Sequence, residues 1–114
     1  MSVRSRFVSE MEWAEANRKV GSVYFIKDGK ADKVKIGHSF DPLRRLSELQ
    51  IGSANALRLI GVVAAPRIME RVCHQEFMEG RASGQWFCDR GIISAWLDEM
   101  TSGEPLCRVI WEYR

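Results

Sequence analysis

Val23-Tyr24-Phe25-Ile26, a polar loop, Val34-Lys35-Ile36-Gly37-His38, then Asp41-Pro42-Leu43-Arg44-Arg45-Leu46: this run decides the fold. Its first two segments alternate with a period of two and are rich in β-branched and aromatic residues, which predicts a β-hairpin. With Tyr24 set opposite Lys35, Val23 faces Ile36 and Phe25 faces Val34, so these four apolar side chains share one sheet face. Tyr24, Lys33 and Lys35 share the other, a phenol beside an ammonium on a face not given to aliphatic core. Asp41 as N-cap and Pro42 at the first helical position then start a helix, with Leu43, Leu46 and Leu49 turned inward until Gly52. Arg44 lies four residues before Glu48 and is expected to pair with it. Arg45, about 100° further round the helix, is left as the freer cation on the flank nearer the hairpin.

Working outward, Ser9-Glu10-Met11-Glu12 reads as a capping box, with Val8 and Trp13 as a staple, and predicts an accessory helix over about 9–19. Leu57 to Ala65 is the most apolar run and predicts a buried, central strand. From Pro66 a helix is predicted to about Gly80, with Met69, Val72, Cys73 and Phe77 on its apolar side and Glu70, His74 and Arg81 recurring along another. Gly84-Gln85-Trp86-Phe87-Cys88 reads as an extended anchor. Asp89 caps a further helix bearing Ile92, Ile93, Trp96, Leu97 and Met100, ended by Gly103 and Pro105. Cys107, Val109, Trp111 and Tyr113 alternate with polar residues as in a half-buried strand, read equally as an added edge strand or a dimer contact.

A chain of 114 residues with 46% hydrophobic content fits one compact domain. The formal charge of +2 permits a nucleic-acid partner without demanding one, so a local basic face would have to bind it. Cys73, Cys88 and Cys107 are odd in number and form no C-x-x-C pair, which points to free thiols and a cytoplasmic, intracellular protein. The adjacent Cys73 and His74 point apart on a helix, against a zinc site. No apolar run approaches the roughly 20 residues of a membrane span, so no membrane partner is expected.

The paired half-motifs Val23-Tyr24 and Lys35-Ile36-Gly37, eleven residues from tyrosine to lysine, with Arg45 ten residues on, resemble the GIY-YIG nuclease superfamily. Glu70-x-x-x-His74-x-x-Phe77 and Gly84-Gln85-Trp86-Phe87 resemble its small phage-type and fungal meiotic branch. The resemblance covers roughly 21–97. It implies an α+β fold, a small three-stranded and largely antiparallel sheet flanked by helices, with the nuclease-like domain in 21–100; to this the residue patterns above add an accessory helix in 1–20 and a C-terminal strand extension in 101–114. It also implies a metal-dependent endonuclease that hydrolyses phosphodiester bonds in DNA, as a monomer or homodimer. Tyr24 would be the general base, Arg45 the cation at the phosphate, and Glu70 the one protein carboxylate on a single Mg²⁺ or Mn²⁺ ion. Lys35 stands in place of the second tyrosine of the pattern and would favour the phenolate, since a free tyrosine has a pKa of about 10. His38 would meet the leaving group or a phosphate, while Lys33, Arg44, His74 and Arg81 would contact substrate. Gln85 stands where related sequences often have glutamate. A nucleic-acid-binding module without turnover and a protein-interaction domain assembled through the Trp111 strand are the other classes that this fold accommodates.

Overall fold

The hairpin forms, and both of its faces are covered. The computed structural model describes residues 3–101 and 106–113. Among them the chain runs β1 (Val3–Phe7), α1 (Glu10–Val20), β2 (Ser22–Asp28), β3 (Lys33–Ser39), α2 (Pro42–Ile51), β4 (Leu57–Ala64), α3 (Ile68–Glu76), a 3₁₀ turn (Met78–Gly80), β5 (Arg81–Ser83), β6 (Trp86–Cys88), α4 (Ile92–Thr101) and β7 (Cys107–Tyr113). The expected α+β class holds, but the sheet is larger than the predicted three strands. It has seven, in the order β1-β7-β4-β2-β3-β6-β5. The antiparallel β2–β3–β4 unit is its middle; the short β5–β6 hairpin extends the β3 side, and the two terminal strands extend the β4 side.

β7 is therefore not an edge strand. It pairs in parallel with β4, Val63 beside Val109, and antiparallel with β1, Phe7 beside Val109. Expectations that rested on Gly103 and Pro105, and on the side chains of Met100, Trp111 and Tyr113, lie outside the described residues. No helix among the described residues is long and apolar enough to cross a membrane.

The hairpin register differs from the predicted one by two residues. Phe25 pairs with Ile36, Tyr24 with Gly37, Val23 with His38 and Ile26 with Lys35. A slip of two preserves the face of every side chain, so the predicted division into an apolar face and a Tyr24–Lys33–Lys35 face stands. The loop closes from Asp28 opposite Lys33, where the Asp28 carboxylate accepts the backbone N–H of Lys30 and of Ala31 at 3.1 and 3.0 Å. The second face, however, does carry core. Tyr24, Ile26, Leu59 and Val62 are buried there beneath Trp13 of α1 and Leu46 and Leu49 of α2. On the opposite face Val23, Phe25, Val34 and Ile36 pack with Met69 and Cys73 of α3, Phe77 just after it, and Ile93 and Leu97 of α4.

Local signals explain the helices. The Ser9 hydroxyl accepts the Glu12 N–H at 3.2 Å, and the Asp41 carboxylate accepts the Arg44 N–H at 3.2 Å. In α2 the inward stripe is the buried Pro42 with the partly buried Leu46 and Leu49, at i, i+4 and i+7, which leaves Leu43 exposed rather than inward. In α3 the stripe is Met69, Cys73 and Phe77; Val72 turns outward, and the helix ends at Glu76 rather than running to Gly80. Asp89, fully buried, accepts the Ser94 N–H at 3.1 Å at the start of α4 and an ion pair from Lys27 at 2.7 Å, tying that helix to β2. In α4 Ile93 and Leu97 are buried while Ile92 is exposed.

Candidate active site

Tyr24 owes its position to a glycine. It lies directly across the ladder from Gly37, and a Cβ on Gly37 would stand 2.2 Å from the Tyr24 Oη and 2.4 Å from its Cζ. The phenol thus lies in a slot that only glycine leaves open, which gives the Lys35-Ile36-Gly37 motif a steric reason. The ring is buried to 2% exposure.

Arg45 reaches this ring from α2. The Tyr24 hydroxyl, facing the guanidinium as an acceptor, is the largest influence raising the Arg45 pKa above its ordinary value; Glu48 adds to it. The expected partition of the two arginines is thereby corrected. Arg45, not Arg44, pairs with Glu48, with Nη1 at 3.6 Å from Oε1, because the i,i+3 direction carries Glu48 toward the hairpin flank. Arg44 is exposed, away from the buried tyrosine.

Lys35 lies on the same sheet face as Tyr24, two ladder pairs along, and is half-buried. Its ladder partner on β6 is Trp86, and its Nζ stands 5.5 Å from the centroid of that indole. Burial lowers the Lys35 pKa, repulsion from Arg45 lowers it further, and attraction to Glu70 opposes both. This lysine therefore links electrostatically a residue of α2 to one of α3, although those helices cover opposite faces.

The link is made where the sheet is interrupted. β6 pairs with β3 only from Lys33 to Lys35. Just beyond, the Ile36 N–H donates to the Gln85 carbonyl at 2.9 Å, and the Ile36 carbonyl lies 2.9 Å from His74 Nε2. Glu70 comes in over this gap. Its Oε1 accepts from Gln85 Nε2 at 2.6 Å and lies 3.7 Å from His74 Nε2. The His74 ring rests edge-on against Phe87, with centroids 5.0 Å apart. His74 thus fastens α3 to the backbone of β3.

Three other predicted residues are not gathered here. Period-two alternation from Ile36 puts His38 on the face opposite Tyr24, where its Nε2 lies 3.0 Å from the Val20 carbonyl and 2.9 Å from that of Ala65. A Cβ on Gly21 would come within 2.6 Å of its ring, so His38 is wedged into the join of α1 and β4. Lys33 sits at the loop end of β3 opposite Asp28 and Cys88. Arg81 belongs to β5, not to α3, and its Nε donates to the Gly84 carbonyl at 2.9 Å across the β5–β6 turn. Two contributors went unrecognised in the sequence: Gln85 as the clamp on Glu70, and Trp86 as the platform for Lys35. Both contacts are made between residues distant in sequence, and no local pattern signals them.

No group of three or more His, Cys, Asp or Glu side chains among the described residues is arranged to hold a metal ion. Glu70 alone, clamped by an amide and 15% exposed, suits an ion that keeps most of its water and takes its remaining ligands from substrate oxygens, as Mg²⁺ does. In that limited sense the residues fit the ion that the resemblance implies.

No curated protein and no solved structure matches the chain. A family model does: that of the T5orf172 domain, over residues 21–101. This span takes in β2 through α4, and with it Tyr24, Lys35, Arg45, Glu70 and Gln85. The match covers well over half of the sequence, and the chain belongs to the T5orf172 domain family, a phage-type GIY-YIG-like domain.

Proposed function

We propose that this protein is a metal-dependent endonuclease that hydrolyses phosphodiester bonds in DNA. The observation that carries this reading is the meeting of Tyr24, Arg45, Lys35 and Glu70 around the interrupted edge of β3, with a desolvated lysine coupled to the arginine on one side and to the carboxylate on the other. A structural ion pair needs no desolvated third charge; a site that must gather negative charge does.

In the reaction Tyr24 acts as the phenolate, its own proton having first passed to solvent: the oxygen of a water bonds to phosphorus while a proton of that water passes to the phenolate oxygen. The bond from phosphorus to the leaving sugar oxygen breaks, and that oxygen takes up a proton from solvent. Arg45, facing Tyr24, balances charge on the phosphoryl oxygens. Lys35, held over Trp86, supplies a second cation whose partial dehydration strengthens its pull on an anion. Glu70, oriented by Gln85, would hold a hydrated Mg²⁺ or Mn²⁺. When bound, that ion supplies charge compensation at the phosphate and the leaving oxygen.

The donor set also favours a second reading, a nucleic-acid-binding module without turnover, since a single carboxylate with one oxygen engaged by an amide is a sparse metal site. Supercoiled plasmid incubated with purified protein, with and without Mg²⁺ or Mn²⁺, separates the two. Nicking that needs metal and disappears in Glu70→Ala and in Tyr24→Phe, both folded, supports the nuclease. Equal nicking by Glu70→Ala removes the metal assignment, and binding without nicking by wild type leaves the second reading.

A further inference from the structure

Beside Glu70 opens a cleft of about 510 Å³ lined by Arg67, Ile68, Glu70, Arg71 and His74. We propose that this cleft is a phosphate-backbone subsite in which Arg67 and Arg71 seat the DNA strand next to the bond that is cut. The inference rests on the reading of Glu70 as the acidic residue of the active site.

The two arginines are placed for consecutive phosphates. Arg67 has helical backbone angles, φ −53° and ψ −31°, and so continues the spiral of α3. Arg71 follows one turn later, about 6 Å along the axis at 1.5 Å per residue. Both are exposed. Among the described residues neither has an ion-pair partner, whereas Arg18 and Arg45 each have one and Lys27 has two. The nearest acid in the same cleft is Glu70, and it is turned aside: Gln85 holds its Oε1 at 2.6 Å, and His74 lies at 3.7 Å. His74, engaged with the Ile36 carbonyl, forms a wall of the cleft.

The apolar content fits as well. Ile68 and Val72, 54% and 43% exposed, flank the arginines on the outer surface of α3. A polynucleotide offers a row of anions with sugar and base edges beside them, which matches alternating guanidinium and aliphatic surface better than water does. Guanidinium also suits phosphate in geometry, since it can donate two parallel hydrogen bonds. The subsite adjoins Glu70 in one continuous hollow, so a strand seated on Arg67 and Arg71 would carry its next phosphate toward the reacting groups.

The test uses the full chain and a fluorescein-labelled DNA duplex, with anisotropy read across a salt series in EDTA. The variants are Arg67→Gln/Arg71→Gln and, as an equal-charge control, Lys30→Gln/Arg58→Gln. The control residues lie at the loop end of the sheet, where Arg58 pairs with Lys27 and the Lys30 N–H bonds Asp28. The cleft variant should bind at least about tenfold more weakly than the control and lose about 2 from the slope of log K against log salt, at about 0.9 per phosphate contact. Its nicking rate at saturating DNA should match that of wild type. Equal affinity and slope for cleft variant and control would overturn the subsite, and so would a fall in kcat with unchanged KM. A wild-type protein that binds but never nicks would refute the proposed reaction and leave the salt slopes to decide the cleft.

Discussion

Replacing Gly37 with alanine probes the slot that holds Tyr24. The added Cβ would stand 2.2 Å from Oη, 2.4 Å from Cζ and 2.9 Å from Cε2 of that ring. To restore an ordinary 3.4 Å contact the hydroxyl must retreat by about 1.2 Å, the difference between the two distances. It has nowhere to go: Tyr24 is 2% exposed, and Ile26, Leu59, Val62, Trp13, Leu46 and Leu49 surround it. Overpacking of this kind costs about 1–3 kcal/mol. A displacement of about 1 Å in a reacting group costs on the order of 10²-fold in rate. Gly37→Ala should therefore unfold at lower temperature by that free energy and nick plasmid on the order of a hundred times more slowly. Gly29→Ala serves as the control, since nothing lies within 4 Å of its added Cβ; it should change stability by no more than about 0.5 kcal/mol. Thermal melts and plasmid time courses on the three proteins give both quantities. A Gly37→Ala protein with wild-type melting would refute the slot, and one destabilised but fully active would separate the slot from the chemistry.

The remaining expectations concern charge and burial. Asp89→Ala should cost about 2–4 kcal/mol, because it strips the buried partner of Lys27 and the acceptor for Ser94. The Asp89 pKa is held below 3.8 by Lys27 and Ser94 against the opposing effect of burial, so its stabilisation is full above pH 3.8 and fades as pH falls below it. Urea melts from pH 6 to pH 2 should show wild type and variant converging in acid; a constant gap contradicts the pairing. Lys35→Met should stabilise the fold at neutral pH, since burial lowers the lysine pKa from 10.5 and its ammonium is held at a cost. The folded protein sheds that proton before the unfolded chain does, so wild-type stability gains on the variant as pH rises toward 10.5, and a gap that widens instead would be inconsistent with a desolvated ammonium. Cys73, its pKa pushed up to about 12 by burial, should resist thiol reagents in the native state at pH 8, while the partly exposed Cys88 reacts; mass spectrometry of the labelled peptides decides it.

The faces of the hairpin were legible in the sequence and its register was not, for one physical reason. Alternation fixes which residues look the same way, and a slip of two leaves that unchanged. The fit of the Tyr24 ring over Gly37 and the closure of the loop on the Asp28 carboxylate distinguish the allowed slips, and both are three-dimensional facts. The same alternation did contain the answer for His38, which shares the face of Ile36 and so departs from Tyr24. Capping residues foretold α1 and α2, and helical position foretold that Arg45 rather than Arg44 approaches the hairpin. The Glu48 contact was misassigned because i,i+3 and i,i+4 pairs are nearly equivalent in one dimension. β1 was missed because Val3-Arg4-Ser5-Arg6-Phe7 shows no sustained apolar face and finds its partner about a hundred residues away. The clamp of Gln85 on Glu70 is likewise long-range, and no local pattern announces it.

Because β7 lies between β1 and β4, the last of these seven strands to be made is the one that covers the β4 edge from Gly61 to Ala64. Until it emerges, β4 offers an unsatisfied row of backbone donors and acceptors on some of the most apolar backbone in the chain, open to any strand that meets it. β1 must also wait for β7. The nascent domain thus stays exposed to mispairing until β7 has emerged, and the vulnerable interval is set by translation speed rather than by local folding. A polypeptide cut to the span of the family match, 21–101, would prolong that interval indefinitely, retaining Tyr24, Arg45 and Glu70 while carrying a permanently open seam.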